Sequence, residues 1–335
     1  MRRLALCGYY GAGNGGDEAL LATLLQMLPQ DTVPVVLSEN PGHTETLHGV
    51  EAVPKRSLGA VRATLRRSDG LVLGGGSLFQ DASSWRNPFY YGGVTAIAHT
   101  LGVPVWAWAQ GLGPLSRPWS RGVARWALTR CDRRSVRDRD SAAQLQAWGL
   151  DALLAPDPVW ALDAAPFSES WPRPCVAVVL RSHRLLTPAW QGAIGQALRL
   201  WQQTTGIHVL WVPFQPQTDG ALATQLQTQV PGSTLQTSAN PRHLKGLFAQ
   251  VDMAIAMRLH GAIMALAEGA RCWPLSYDPK VTVLAQELNL PAGDLQAGAP
   301  PPETLLQAWQ ACLAAPAPAV ASQKQGAIAH QRVLR

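Results

Sequence analysis

Short apolar runs alternate with longer helical patterns along most of this chain, and that alternation restricts its fold more than any other feature. The runs, bounded by glycine or polar turns, have the length of strands, and the patterns between them have the apolar spacing of helices. Strands that alternate with helices form βα units, whose strands lie parallel. The predicted strands are residues 3–8, 33–38, 71–73, 103–107 and 134–136, then 175–180, 207–212, 253–256 and 271–276.

The alternation is interrupted at residues 163–174, where three prolines predict a linker. The length of 335 residues is also about twice that of a usual domain. We therefore expect an α/β protein of two Rossmann-like domains that face each other across a cleft, at residues 1–165 and 166–320. The Ala- and Pro-rich residues 321–335 are expected to form a loosely ordered tail.

Composition excludes several classes of protein. Charged residues make up only 15% of the chain and hydrophobic residues 47%, which excludes intrinsic disorder for nearly the whole length. The net charge of +6 favours anionic partners, but the basic residues are scattered, so no nucleic-acid partner is expected. The five cysteines are far apart and lack the spacing of metal ligands. We expect reduced thiols, no metal site and a cytoplasmic location.

One segment, residues 92–116, lacks charged side chains and has the length of a membrane span. Because His99, Gly102 and Pro104 interrupt it, we expect a helix, a turn and a buried strand there and no transmembrane helix. The 13 tryptophans and the basic charge are nevertheless compatible with a peripheral contact at the inner membrane surface.

The turn after the first predicted strand contains a G-x-G-x-x-G sequence, as dinucleotide-binding loops do. The next residues, Asp17 and Glu18, would however place carboxylates at the helix N-terminus where a pyrophosphate binds. We therefore expect a loop that lets a substrate approach the backbone, with Asp17 orienting or deprotonating a hydroxyl; the alternative is that Asp17 only caps the helix. The loop residues expected to contact the acceptor or a phosphate are Gly11, Gly13, Asn14 and Gly16.

A second glycine cluster follows the short strand at residues 71–73. Consecutive glycines allow a tight turn with exposed N–H groups, which suits a phosphate or a sugar, although packing alone also requires such turns. Hydroxyls and rings at residues 83–85 and 89–91 are suited to a sugar, although aromatic side chains are more often buried. The residues expected to contact a ligand here are Gly75, Gly76, Ser77 and Asp81.

Cationic side chains follow several of the predicted strands. Arg137 either binds a carboxylate or phosphate with two hydrogen bonds or pairs with Asp138. Arg258 and His260 lie at a strand end and a helix N-terminus, which is typical of an anion site with an acid/base group beside it. Lys280 follows the next strand, and because neighbouring parallel strands end at one edge, we expect it to join Arg258 and His260 around one ligand.

Several motifs occur in order between Gly8 and Val281: GYYGAGNGGDEAL, GGGSLFQD, QGLGPL, SVRD, DPV, VPFQ, RLH and YDPKV. Together they resemble the CsaB-type polysaccharide pyruvyl transferases over about four-fifths of the chain. The resemblance implies a GT-B-like fold, with the acceptor bound on the side of residues 1–165 and phosphoenolpyruvate on the side of residues 166–320. It also links the positions of Arg137, His260 and Lys280 to donor binding.

The implied reaction moves a pyruvyl group from phosphoenolpyruvate to two hydroxyls of a sugar, which forms a pyruvate ketal and releases phosphate. The implied acceptor is a cell-envelope polysaccharide or its lipid-diphosphate-linked precursor, with roles in the cell wall and in S-layer anchoring. His260 is the first choice for acid/base work, and Arg258 joins Arg137 and Lys280 as a donor-binding cation. Phosphoenolpyruvate is a substrate, and no cofactor is expected.

Three alternatives fit the same architecture. A GT-B nucleotide-sugar glycosyltransferase would transfer a hexose. A non-catalytic relative would bind a sugar or anion without forming product, although the presence of both His260 and Asp17 beside the cations argues against it. A dehydrogenase would bind a nicotinamide cofactor.

Overall fold

Two parallel β-sheets confirm the predicted α/β class with two Rossmann-like domains. The computed structural model describes residues 1–82 and 84–335. The chain divides into two units, each with its own sheet. The first unit comprises Met1–Ala12, Asp17–Leu162 and Ala321–Arg335, and the second comprises Gly13–Gly16 and Asp163–Val320.

The sheet of the first unit has seven parallel strands in the order β3-β2-β1-β4-β5-β6-β7. The strands are β1 (Arg2–Cys7), β2 (Thr32–Ser38), β3 (Glu51–Pro54), β4 (Gly70–Leu73), β5 (Val105–Gln110), β6 (Arg133–Val136) and β7 (Leu153–Leu154). The helices along this part of the chain are α1 (Gly15–Met27), α2 (Pro41–His48), α3 (Leu58–Leu65), α4 (Asn87–Thr100), α5 (Pro118–Thr129) and α6 (Arg139–Ala147). A short 3₁₀ helix, Pro158–Ala161, follows β7.

The sheet of the second unit has six parallel strands in the order β10-β9-β8-β11-β12-β13. The strands are β8 (Cys175–Val179), β9 (His208–Trp211), β10 (Thr234–Leu235), β11 (Met253–Ala256), β12 (Arg271–Ser276) and β13 (Gly293–Asp294). The helices are α7 (Pro188–Thr205), α8 (Pro216–Gln227), α9 (Pro241–Phe248), α10 (Leu259–Ala267), α11 (Pro279–Glu287) and α12 (Pro302–Ala314), with a 3₁₀ turn at Leu295–Ala297.

Local sequence explains where several helices begin and end. The hydroxyl of Thr187 accepts a hydrogen bond from Trp190 at the start of α7, and Pro188 occupies the first turn, where its missing N–H costs nothing. Gly206 ends the helix in the left-handed region with φ of 73°, where glycine carries no steric penalty. Asp138 caps α6 in the same way as Thr187 caps α7.

The order of strands reverses between β1 and β4 in the first sheet and between β8 and β11 in the second. In doubly wound sheets, ligands bind outside the carboxyl ends of the strands at such switch points, because the connecting loops leave a crevice there. Each unit therefore has one edge at which a ligand is expected.

Both sheets are buried on their two faces. All six residues of β5 and all four of β11 are buried, as expected for strands covered by helices on both sides. Much of the tryptophan content also serves packing in the second unit, where Trp273 lies edge-on to Trp309, 5.8 Å between ring centroids.

The expectation of a loosely ordered tail at residues 321–335 is wrong. The segment forms α13 (Ala321–Ala327), a 3₁₀ turn at Ile328–His330 and α14 (Gln331–Leu334), and it belongs to the first unit. His330 is fully buried and is hydrogen-bonded to Ser135 Oγ and to the Pro156 carbonyl oxygen, each at 2.9 Å. The side chains of Val333 and Leu334 are also buried, and burial of this apolar surface stabilises the ordered segment.

Among residues 1–82 and 84–335, no helix is long and apolar enough to cross a membrane. The five cysteines are all buried thiols, and burial raises the pKa of Cys7 and of Cys131 to about 12.

Candidate functional site

The switch point of the second sheet brings two arginines to one edge. Val179 of β8 and Ala256 of β11 are paired in register, and Arg181 and Arg258 each follow that pair by two residues. Tyr277 directly follows β12, the next strand of the sheet. Basic and aromatic side chains of three neighbouring strands therefore start from the carboxyl edge where a ligand is expected.

Arg258 forms a buried ion pair with Asp219 of α8. Its Nε and Nη2 atoms lie 2.8 and 2.5 Å from the same carboxylate oxygen, and the two side chains are 8% and 2% exposed. The Gln215 side-chain oxygen lies 3.5 Å from Nη2. The two hydrogen bonds to the carboxylate fix the orientation of the guanidinium at the site. Breaking the pair would leave a buried charge without a partner, which is costly.

Helix α10 begins beside this arginine without a side-chain cap. Arg258 is its N-cap residue and makes no side-chain cap hydrogen bond to the first turn. The first N–H groups of a helix and its dipole attract anions. The start of α10 at the switch point is therefore suited to a carboxylate or a phosphate, and His260 lies in the same turn.

His260 packs against the glycine segment of the second unit, Gly13–Gly16. A β-carbon at Gly16 would overlap Nδ1 of the imidazole. The segment is held in place because the Gly15 N–H donates to the Phe214 carbonyl oxygen at 2.7 Å and the Gly16 N–H donates to Asn14 Oδ1 at 3.1 Å. Three of the residues expected in the first loop, Gly13, Asn14 and Gly16, thus lie in the same unit as His260.

Arg181 is a candidate site residue that the sequence analysis missed. Its Nη1 donates to the Tyr277 hydroxyl at 2.8 Å, and its guanidinium lies 5.2 Å from the centroid of the tyrosine ring. Its Nε is buried and has no hydrogen-bond partner among the described residues. The sequence contained a signal for this residue. Arg181 follows the first strand of the second domain, just as the first glycine loop follows the first strand of the chain, and that position predicts a site residue.

The ring of His183 also contacts the ring of Tyr277, 4.8 Å between ring centroids. Burial and the positive charges of Arg181 and Arg184 lower the pKa of this histidine, while Asp278 opposes the shift. The two arginines contribute positive charge beside the ring, which an anionic ligand would neutralise.

Lys280 occupies the first turn of α11, directly after the strand that neighbours β11. Its backbone N–H donates to Asp278 Oδ1 at 3.0 Å, so that Asp278 caps the helix, and its side chain is half-buried. The structure places Arg258, His260 and Lys280 on adjacent strand ends of one sheet, the arrangement from which a common ligand was predicted.

In the first unit, the two glycine loops converge at the switch point between β1 and β4. A β-carbon at Gly74 would overlap the hydroxyl of the buried Tyr10, and one at Gly76 would lie 3.6 Å from Asp17 Oδ1. Gly76 has φ of 101°, a conformation that side chains other than glycine rarely adopt. The second glycine turn is thereby kept next to the carboxylate of Asp17.

The buried side chain of Glu18 is hydrogen-bonded to the backbone of the first glycine loop. Its Oε1 accepts the N–H of Gly11 at 2.9 Å, and its Oε2 lies 3.2 Å from Nε2 of His48. Both side chains are buried. A carboxylate that binds a loop N–H of this kind takes the place that a pyrophosphate oxygen would need, which argues against a dinucleotide here.

Arg137 is paired with Asp157, whereas the carboxylate of Asp138, the partner suggested from sequence, is used as a helix cap. Nη1 of Arg137 lies 2.6 Å from Asp157 Oδ2, and its Nη2 lies 3.3 Å from Ser77 Oγ. Asp138 instead caps α6 through the N–H of Ser141. Arg137 and Asp157 are 6% and 7% exposed, so the guanidinium is held at the end of β6 beside the second glycine turn.

Asp81 anchors a neighbouring turn. Its carboxylate accepts hydrogen bonds from the backbone N–H groups of Ser116 and Arg117 at 3.0 and 2.9 Å. Although burial raises its pKa, these hydrogen bonds lower it to about 2. The expected contact of Asp81 with a ligand stays a prediction, as do those of Gly75 and Ser77, and Ser83 lies outside the described residues.

The sequence was compared with models of protein families and with curated proteins. The sequence model of the family "Polysaccharide pyruvyl transferase" matches residues 14–279. The chain belongs to the polysaccharide pyruvyl transferase family. Membership in this family makes the chain a transferase of polysaccharide biosynthesis. No curated protein matches the sequence at a significant level.

Solved structures resemble this family member in fold. UDP-GlcNAc 2-epimerase from Methanocaldococcus jannaschii matches with a TM-score of 0.67 at 9% identity, over 100% of this chain and 99% of the epimerase. S. aureus MnaA in complex with UDP matches with a TM-score of 0.63 at 9% identity, over 100% and 91%. Anabaena HepE in complex with UDP and glucose matches with a TM-score of 0.57 at 11% identity, over 100% and 94%. At these identities the likeness shows the GT-B-like fold alone.

Proposed function

We propose that this family member is a CsaB-type pyruvyl transferase that uses phosphoenolpyruvate as donor and forms a pyruvate ketal on a sugar of a cell-envelope polysaccharide. The observation that carries the proposal is the carboxyl edge of the second sheet. Arg181, Arg258 and Lys280 follow adjacent strands there, and α10 begins without a side-chain cap. Cationic side chains and a helix N-terminus at one edge favour the binding of a small ligand with several negative charges.

Phosphoenolpyruvate fits that chemistry because it carries a carboxylate and a phosphate on neighbouring carbons. Two anionic groups call for more than one cation, and the edge supplies Arg181 with a buried, unpartnered Nε in addition to the predicted Lys280. Arg258, oriented by Asp219, adds a fixed positive charge. In the first unit, Arg137 is a further donor-binding residue, as the resemblance implies.

The proposed chemistry begins with His260. Its imidazolium gives a proton to the methylene carbon of phosphoenolpyruvate, which becomes a methyl group and leaves an oxocarbenium-like centre at the neighbouring carbon. One sugar hydroxyl adds to that centre and returns its proton to the imidazole. A second hydroxyl then forms the other C–O bond as the bond to phosphate breaks, and its proton leaves with the phosphate. Positive charge at the edge stabilises the departing phosphate.

The acceptor is proposed to use the first unit. Asp17 lies at the glycine turn of Gly76, where a sugar can approach the backbone closely, and it would orient the acceptor or deprotonate its second hydroxyl and pass that proton to the phosphate. The proposed acceptor is a cell-wall glycan or its lipid-diphosphate-linked precursor, with S-layer anchoring as its role. We propose that the reaction takes place in the cytoplasm and needs no cofactor.

The second candidate function is a nucleotide-sugar glycosyltransferase, because MnaA and HepE of the same fold are complexed with UDP. A transfer assay separates the two functions. The protein is incubated with a lipid-linked or free oligosaccharide acceptor and either phosphoenolpyruvate or UDP-sugars, and products are detected by mass spectrometry and phosphate release. Pyruvylated product from phosphoenolpyruvate alone supports the proposal. Hexose transfer from a UDP-sugar, or binding of phosphoenolpyruvate without product under any acceptor, would overturn it in favour of the rival enzyme or a non-catalytic relative.

A further inference from the structure

We propose that an exposed surface of the first unit, formed by the start of α4 and by α5, docks onto an anionic lipid bilayer. Its aromatic members, here called the aromatic patch, are Trp85, Phe89, Trp119 and Trp126. They are 51%, 46%, 40% and 37% exposed, and they are among the few large apolar side chains that the described structure leaves in solvent. Contiguous exposed apolar groups of this kind mark an interaction surface.

The patch is one continuous cluster over its first three residues. The rings of Phe89 and Trp119 are stacked, 5.1 Å between centroids, and Trp85 lies edge-on to both at 6.1 and 6.2 Å. Trp126 is seven residues from Trp119 on the same helix, two turns along, and therefore lies on the same face of α5. The opposite face of α5 is buried through Ser120, Ala124, Ala127 and Leu128.

Arginines surround these rings in a segment that is bounded by Asp81 and Asp132 and has no acidic residue between them. Residues 82–131 contain no Asp or Glu. They contain five arginines, and within the described structure none of the five forms an ion pair. These residues are Arg86, Arg117, Arg121, Arg125 and Arg130. A helix face with exposed tryptophan and unpaired arginine has the composition of interfacial helices that bind anionic lipid.

The contacts of the rings favour a bilayer over a glycan. A sugar stacks on the face of an aromatic ring, but the guanidinium of Arg86 lies over Trp85 and that of Arg117 lies over Trp119, 5.5 and 5.6 Å from the ring centroids. Arg130 covers Trp126 in the same way at 4.1 Å, and Phe89 and Trp119 cover each other. Ring edges and cations stay exposed, which is the arrangement that sits at the level of lipid headgroups.

The test is cosedimentation of the full chain with vesicles of phosphatidylcholine alone or with about 30% phosphatidylglycerol. We expect binding to the anionic vesicles and at least tenfold weaker binding to the neutral ones. The double variant Arg121→Glu/Arg125→Glu should weaken binding about 25-fold or more, because each arginine near an anionic surface contributes about fivefold. Trp119→Ser/Trp126→Ser should weaken it at least tenfold while the net charge is unchanged.

The matched control is Arg62→Glu/Arg66→Glu, which changes the net charge by the same amount at two exposed arginines of the same unit, one in α3 and one at its C-cap, outside α4 and α5. Thermal unfolding of each variant verifies that it is folded. The control should bind like the wild type. Equal losses in the control and patch variants would show that binding follows net charge alone and would overturn the proposal. Absence of binding to anionic vesicles, or binding of the patch to soluble oligosaccharide with the same residue dependence, would overturn it as well.

Discussion

The imidazole of His260 occupies the space that a β-carbon at Gly16 would need. Gly16 is the second residue of α1 and His260 follows β11, 244 positions later in the sequence, yet the two residues are in direct contact. Because the contact involves Nδ1, the orientation of the ring depends on the absence of a side chain at Gly16. The first loop therefore affects His260 directly, whatever else it binds.

Gly16→Ala is expected to displace the imidazole and lower kcat/KM for pyruvyl transfer about 100-fold, since a misplacement of about 1 Å has effects of that size. The matched control is Gly59→Ala in α3, where an added β-carbon meets nothing within 4 Å. Steady-state phosphate release measures both variants. Wild-type activity in Gly16→Ala would show that the position of His260 is not critical for the reaction.

Removing the charge of Asp219 is expected to destabilise the second unit. Asp219→Asn leaves Arg258 buried without its anion, and the free energy of unfolding in urea should fall by about 3 kcal/mol. The double variant Asp219→Leu/Arg258→Met removes both charges and should regain most of that stability. If the double variant is as unstable as the single one, packing of Asp219 and not the charge pair accounts for the loss.

His330 makes stability depend on pH. Burial lowers the pKa of the His330 imidazole from 6.5 to about 4. Between these two pH values the unfolded chain binds a proton at this histidine and the folded chain does not. This contribution is complete above pH 6.5 and is lost as the pH falls from 6.5 toward 4, by about 3 kcal/mol in total. Urea unfolding between pH 7.5 and 4.5 should show a smaller decline in His330→Gln than in the wild type. The exposed His99→Gln is the control, and an unchanged decline in His330→Gln would contradict this assignment.

The Tyr277 hydroxyl positions Arg181. Tyr277→Phe keeps the ring under the guanidinium but removes the acceptor at 2.8 Å, and we expect the Kd for phosphoenolpyruvate to rise about tenfold. Tyr9→Phe is the matched control, because Tyr9 is a half-exposed tyrosine of the other unit with Lys55 over its ring. Calorimetric titration compares the two variants, and equal affinities would show that the Tyr277 hydroxyl does not position Arg181 for the donor.

The sequence predicted the main strands because their apolar runs are long enough to be recognised. It missed all four edge strands, β3, β7, β10 and β13, which have only two to four residues. Edge strands bury less surface, so hydrophobic periodicity carries little information about them. Helix α2 contains mainly polar residues, so hydrophobic periodicity does not reveal it, and the Asn40 side chain caps its start.

Residues of the candidate site were predicted where a strand end alone places them, as for Arg258, His260 and Lys280. Pairings across the chain were not predictable. Arg137 is paired with Asp157, 20 residues away, although Asp138 is adjacent, because Asp138 is used as a helix cap. The grouping of Gly13–Gly16 with the second unit likewise depends on tertiary contacts that no local pattern encodes.

The central claim, that the second unit binds phosphoenolpyruvate, is tested most directly by calorimetric titration of the full chain with that compound. The wild type should bind in the micromolar to low-millimolar range. Lys280→Glu should weaken binding about 30-fold or more, since it replaces a charge-assisted contact by repulsion. Lys324→Glu, at an exposed lysine of α13, should leave the affinity unchanged. Equal affinity in Lys280→Glu and the wild type, or affinity for UDP-sugars with none for phosphoenolpyruvate, would contradict the account.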